Sequence, residues 1–340
     1  MNYFSKIWAT VSLMLVVLIS VLASDVLTSN ALASNENAQS LGYYRDPTLH
    51  DQNIVFTAQG DLWKTSISAS EPAKRMTNHA NVERSAKFSP DGKRIAYVAS
   101  YHNVRAVYVI NANGGQAKQV SFELVSSKLH GWVNKNTLLI STQSDTGMHS
   151  SWALKTINID DLSTQTLPLS DAVEGVISKD GETLVFIQHG LQVSTDNANH
   201  YKGGAKGEMW RFSLTANKEA TLLTKEHAGS VRTPMLFEQG SNSRIYFISN
   251  ENKLDNLWSM SINGDDIQQH TQFSDWAVRN ASIHKNNIIF QHGADLKIFN
   301  INNTNVSTVD ISLQSDFANM QTRYISKPLT YFEGAAISPN

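Results

Sequence analysis

The sequence predicts an all-β fold, a six-bladed β-propeller of four-stranded antiparallel blades. Three observations carry the prediction. One unit recurs: a turn, an apolar strand, an amphipathic strand and a short polar strand, clearest in Phe88-Ser-Pro-Asp-Gly-Lys-Arg-Ile-Ala-Tyr-Val-Ala followed by Ala106-Val-Tyr-Val-Ile-Asn and Lys118-Gln-Val-Ser. One residue marking the centre of each apolar strand, Phe56, Tyr97, Ile140, Phe186, Phe247 and Phe290, recurs near the blade period of ~40–45 residues, with one longer gap between Phe186 and Phe247. The turns have hairpin chemistry throughout. A sheet of four such strands cannot bury both of its faces alone, so copies stack around an axis.

The boundaries follow in order. The propeller spans about 42–313, with blades at about 47–78, 82–123, 128–169, 173–226, 231–273 and 278–313. Ser89-Pro90-Asp91-Gly92 presets φ at Pro and allows a positive φ at Gly. Lys179-Asp180-Gly181, Asn134-Lys135-Asn136 and Lys285-Asn286-Asn287 are its degenerate versions. Outer strands such as Lys118-Gln-Val-Ser and Thr221-Leu-Leu-Thr are short and polar, which suits an exposed blade edge. Blade one starts with its own inner strand at Pro47-Thr48-Leu49, and blade six ends with its own outer strand from Val309 to Leu313. The expected ring therefore closes without a shared strand. Residues 314–340 read as a connector and the cut-off start of a further unit, because Ala335-Ala-Ile-Ser-Pro-Asn ends like a Ser-Pro-Asp-Gly turn.

Residues 1–33 read as a signal peptide. Lys6 precedes an apolar run from Ile7 to Ala23, and small-residue cleavage sites follow at Ala23 and Ala33. Export across the inner membrane, with the periplasm as destination, is the expectation. The absence of cysteine excludes disulfides, thiol nucleophiles and thiolate metal sites. A net charge of −2 gives no long-range field for nucleic acid, which is not expected as a partner.

Residues that could carry chemistry are few. No Gly-x-Ser-x-Gly elbow occurs, and no catalytic residue is expected in this chain. The 11 histidines are scattered without metal-ligand spacing. His130, His189 and His292 sit beside strands or hairpins, where turn hydrogen bonding is the plain reading. Asn263-Gly-Asp-Asp266 lacks the alternating acidic loop of a calcium site and reads as a turn. No metal or cofactor is expected. Trp63, Trp210 and Trp258 fall at matching repeat positions, which suits inter-blade packing. Trp132, Trp152 and Trp276 break the pattern and suit rims or the channel. The insertion Thr195–Gly207 is the strongest functional element by sequence, because long loops on rigid scaffolds carry function. Its Tyr201, Lys202 and Lys206 are candidates for holding a peptide end or lining the channel mouth. Arg45, Arg84 and Arg105 are a second set of channel candidates.

Gly42-Tyr-Tyr-Arg-Asp-Pro-Thr-Leu-His, Ile54-Val-Phe-Thr-Ala-Gln-Gly-Asp-Leu-Trp, Phe88-Ser-Pro-Asp-Gly-Lys and His200-Tyr-Lys-Gly-Gly resemble the N-terminal six-bladed propeller of tricorn protease and its secreted bacterial homologues. The order holds from Gly42 to Leu313. The resemblance implies a serine peptidase whose propellers gate or guide peptides. It also implies partner domains outside this chain, a second propeller, a PDZ-like domain and a catalytic domain, with homo-oligomers possible. The alternative is a stand-alone periplasmic propeller that binds proteins, similar to that of TolB.

Overall fold

A computed structural model describes residues 42–315 except 69–70, 102–103, 124, 126, 144–150, 191–199 and 217–218, and also 322, 324–331 and 334–335. The expected signal peptide lies outside the described residues, as does most of the expected start of a further unit.

Six four-stranded sheets follow one another along the chain, each built from consecutive antiparallel strands. Blade one holds β1 (Arg45–His50), β2 (Asn53–Ala58), β3 (Asp61–Ser66) and β4 (Lys74–Arg75). Blade two holds β5 (Glu83–Phe88), β6 (Arg94–Ala99), β7 (Ala106–Asn111) and β8 (Lys118–Gln119). Blade three holds β9 (Lys128–Asn134), β10 (Thr137–Thr142), β11 (Ala153–Asn158) and β12 (Thr164–Thr166). Blade four holds β13 (Ala172–Ile177), β14 (Thr183–Gln188), β15 (Glu208–Ser213) and β16 (Thr221–Leu222). Blade five holds β17 (Val231–Phe237), β18 (Arg244–Ser249), β19 (Asn256–Ser261) and β20 (Gln268–Gln269). Blade six holds β21 (Val278–His284), β22 (Asn287–His292), β23 (Asp295–Asn300) and β24 (Val306–Thr308).

The six marker residues all lie on second strands and are all buried. Each faces one residue of the third strand: Phe56 pairs with Trp63, Tyr97 with Tyr108, Ile140 with Lys155, Phe186 with Trp210, Phe247 with Trp258 and Phe290 with Lys297. The three matching tryptophans thus occupy one register position, and large side chains there fill the space between blades.

The turns explain the register. In blade two, Ser89 Oγ donates to Asp91 at 2.6 Å and accepts the Arg94 N–H at 2.9 Å, with Gly92 at φ 68°. Blade four repeats this with Ser178, Asp180 and the Thr183 N–H, with Gly181 at φ 78°. The degenerate turn keeps the geometry because the serine, the aspartate and the positive φ are retained.

Among the described residues no strand is shared between the ends of the ring, yet the seam is latched. The Tyr44 N–H donates to the Ala294 carbonyl at 3.0 Å, and the Tyr44 hydroxyl donates to the Ile311 carbonyl at 3.3 Å. The Ala73 N–H donates to Ser312 at 2.8 Å, within a parallel bridge between Ala73 and Leu313. This corrects one expectation: residues 309–313 are not the outer strand of blade six. That strand is β24, and 309–313 run on to blade one. Val309, Ile311 and Leu313 join Tyr44, Leu49, Phe56 and Trp63 of blade one and Ile289, Leu296 and Ile298 of blade six in one core cluster.

Candidate functional site

The first strands line a central cavity of about 630 Å³, to which all six blades contribute. Each first strand is broken by a bulge or register shift near its start. In four blades the bulge places a non-glycine residue at positive φ: Asp46 at 49°, Ser85 at 55°, Thr233 at 55° and Asn280 at 51°. Bulges re-aim side chains and cluster beside functional sites, and a β-branched residue such as Thr233 pays strain to sit there.

In five blades a cation stands at the start of the first strand, at or one residue before the bulge. Arg45 pairs with Thr57, Arg84 with Val98, Lys128 with Ser141, Arg232 with Ile248 and Arg279 with Gln291. Each partner follows its blade's marker residue by one, so the five cations share a single register position. All five line the cavity. In blade four that position, opposite Ile187, is Glu174, which turns inward to accept the Thr233 N–H of blade five. Lys87 and Arg105 also line the cavity, whose carboxylates are Asp46 and Glu174. A chain of net charge −2 thus concentrates seven cations against two anions in its channel.

The electrostatics show the crowding. Burial pulls the Arg84 guanidinium below its ordinary value, and the neighbouring charges of Arg105 and Arg45 push the same way against Asp46. Burial also pulls the Lys87 ammonium down, with Asp46 and Glu174 opposing. The Asp46 carboxyl is raised by burial despite Arg45, Arg84 and Lys87. Other cations are already engaged. Arg232 pairs with the buried Asp255, Lys128 lies 4.2 Å over the Trp152 ring and Arg45 lies 5.4 Å from the Tyr43 ring.

Of the residues singled out in the sequence, Arg45, Arg84 and Arg105 come together in the channel wall. Tyr201, Lys202 and Lys206 do not line it. Lys202 donates to the Glu251 carbonyl at 2.7 Å, on the loop between β18 and β19, and Lys206 to the His227 carbonyl at 2.8 Å, on the connector before β17. The Tyr201 hydroxyl accepts the Ala205 N–H at 3.1 Å inside the insertion itself. Gly207 approaches β17 so closely that a Cβ would lie 2.2 Å from the Val231 carbonyl. The described part of the insertion is therefore docked on blade five, its lysines satisfied by backbone. Lys128, Arg232 and Arg279 were missed. The near-repeat of Val231-Arg232-Thr233 in Val278-Arg279-Asn280 was the available signal.

One Ser–His–carboxylate set has the spacing of a nucleophile and its base. His227 Nε2 lies 2.7 Å from Ser249 Oγ, and His227 Nδ1 lies 3.0 Å from a Glu251 oxygen. Ser249 is 0% exposed, and the Trp258 ring packs edge-on against His227 at 5.3 Å. A hydroxyl with no open face cannot attack a substrate. The set ties the connector before blade five to the loop after β18, and burial holds the His227 imidazole below its ordinary value against the pull of Glu251. His130, His189 and His292 likewise bond locally, to Ser141, Asp171 and Asp275.

Comparison with known proteins decides the family. The model of the tricorn protease N-terminal beta propeller domain matches residues 41–305. This chain belongs to that family. A tricorn protease homolog of Saccharolobus solfataricus is 27% identical over 303 residues, which cover 88% of this chain and 27% of the relative. A protein of Sulfurisphaera tokodaii named as an N-terminal subunit of a tricorn-like protease is 28% identical over 171 residues, covering 49% of this chain and 85% of its own length. The same organism has a relative named as a C-terminal subunit, so tricorn-like proteases also occur as separate components. The crystal structure of the tricorn protease shares the fold at a TM-score of 0.70 and 22% identity, covering 81% of this chain and 27% of that one. TolB from Acinetobacter baumannii shares it at 0.55 and 14%, covering 79% and 62%. The chain spans about a quarter of the length of the full tricorn proteases it matches.

Proposed function

We propose that this propeller is a non-catalytic gate of a tricorn-like serine peptidase, and that it guides peptides through its cationic channel toward a catalytic domain contributed from outside these 340 residues. The observation that carries the reading is the set of five cations at one register position around the cavity. Like charges crowded in a low-dielectric channel leave a positive potential that an anion relieves. An extended peptide offers such an anion in its C-terminal carboxylate or in acidic side chains, and guanidinium groups bind carboxylates well. Export to the periplasm fits the apolar N-terminal segment and belongs to the same proposal. For the TolB-like reading the support is a shared fold alone.

The test is fluorescence polarisation with labelled, extended peptides that differ only in a free or amidated C-terminus. The free carboxylate is expected to bind tighter, to weaken between about 50 and 300 mM salt, and to weaken in Arg84→Gln. Equal binding of both peptides, or binding indifferent to Arg84→Gln and to salt, overturns the reading.

A further inference from the structure

Two first-strand hairpins meet across the seam, one between β1 and β2 and the other between β21 and β22. They bring together His50, Asp51 and His284, whose ligating atoms all lie within 4.8 Å of one another. His50 Nδ1 is 3.6 Å from one Asp51 oxygen, and His284 Nε2 is 3.2 Å from the other. A tetrahedral zinc ion with bonds of about 2.0–2.1 Å holds its ligand atoms roughly 3.3 Å apart. We propose that His50 Nδ1, His284 Nε2 and the Asp51 carboxylate form a zinc site that staples blade six to blade one.

Two further observations support the assignment. The other nitrogen of His50, Nε2, lies 3.2 Å from the Pro90 carbonyl in the first hairpin of blade two. That carbonyl can only accept, so Nε2 carries the proton and Nδ1 keeps its lone pair toward Asp51. Metal-binding histidines are oriented by this kind of outer hydrogen bond. The position also already draws a cation, since Lys285 Nζ lies 2.5 Å from Asp51 Oδ1. Lys285 is largely exposed on a flexible stem, and its ammonium can swing into water when a divalent ion arrives. Two imidazoles and one carboxylate select zinc over calcium or magnesium, which prefer oxygen ligands.

The location gives the site its effect. His50 and His284 are 234 residues apart in the chain, so a metal bridge closes a loop that encloses almost the whole ring. The entropic gain from cross-linking grows with loop length. It would fall at the junction between the first and last blades, which are not consecutive in the chain.

The experiment is calorimetric titration of the purified chain with zinc chloride alone, in a non-chelating buffer, alongside thermal melts. One zinc per chain and a raised melting temperature are expected. Asp51→Asn, at a half-exposed hairpin tip where folding is safe, should weaken binding on the order of 100-fold, and His284→Ala at least as much. Lys285→Met should tighten it several-fold by removing the competing ammonium. Failure to take up zinc overturns the proposal, and so does uptake left unchanged by Asp51→Asn and His284→Ala. Because the peptide assay is run without metal, its outcome is independent of this one.

Discussion

Lys155 and Glu123 form an ion pair at 3.0 Å in the wall of blade three, with both side chains about nine-tenths withdrawn from water. Lys155 occupies the register position that holds Trp63, Trp210 and Trp258 in other blades. A buried charge that loses its partner is costly, whereas replacing a whole pair with apolar groups is close to neutral. Glu123→Ala is therefore expected to lower stability by about 3 kcal/mol. Lys155→Trp with Glu123→Leu should recover most of that loss. Urea unfolding of the three proteins checks it. A single mutant as stable as the parent would show that water reaches the pair.

The ring should weaken in mild acid through its buried imidazoles. Burial, with the Arg244 charge beside it, holds His270 down to about 4. Burial, with Lys128 and Lys87, holds His130 down to about 3. The unfolded chain titrates these groups near 6.5, so it takes up protons first as pH falls. Their contribution is complete above about pH 6.5 and drains as pH falls toward those lower values. Screened by water at its open edge, His270 should account for about 1 kcal/mol between pH 7 and 5. His270→Gln should shrink the pH dependence of the urea midpoint by that amount, and an unchanged dependence would refute it.

The repeat was legible because each second strand is buried on both faces, so Phe56, Tyr97, Phe247 and Phe290 stand out as apolar runs of fixed period. The turns were legible because Ser, Asp and Gly have local roles. The channel cations were only half legible. Arg45 and Arg84 lie in recognisable segments, but the bulge that aims each cation inward is a register event between two strands. A single strand's pattern does not contain it. The same limit misplaced 309–313. Val309, Ile311 and Leu313 alternate like a blade-six strand, and nothing in that alternation says their neighbour is blade one. The docking of the insertion was not legible, because loop length does not say that Lys202 and Lys206 bond to the blade-five backbone.

Thr233 is a β-branched residue held at φ 55°, its N–H fixed by the Glu174 carboxylate of the neighbouring blade. Such a conformation costs on the order of 1–3 kcal/mol in a non-glycine residue. Glycine adopts it freely, at an entropic cost of roughly 0.5–1 kcal/mol. Thr233→Gly is thus expected to stabilise the ring by about 1 kcal/mol and to leave the bulge in place, because the Glu174 bond is to the backbone. A lower urea midpoint in Thr233→Gly would mean that the threonine side chain offsets its own strain.

The seam between blades one and six is held by a few backbone bonds and buried side chains where other junctions also have continuous connections. Tyr44 bonds to both Ala294 and Ile311, and Leu313, 4% exposed, packs beside the Ala73 bridge. Tyr44→Phe removes one hydrogen bond, worth about 1 kcal/mol. Leu313→Ala opens a cavity worth about 2–3 kcal/mol. If the latch closes the ring, Leu313→Ala should speed hydrogen exchange first at the Tyr44 and Ala73 amides, while the central strands of blades three and four keep their protection. The loss would then be local opening of the seam before global unfolding. Exchange rising equally in all six blades would instead mean that the ring opens only by unfolding as a unit, with 309–313 contributing no more than any other buried segment.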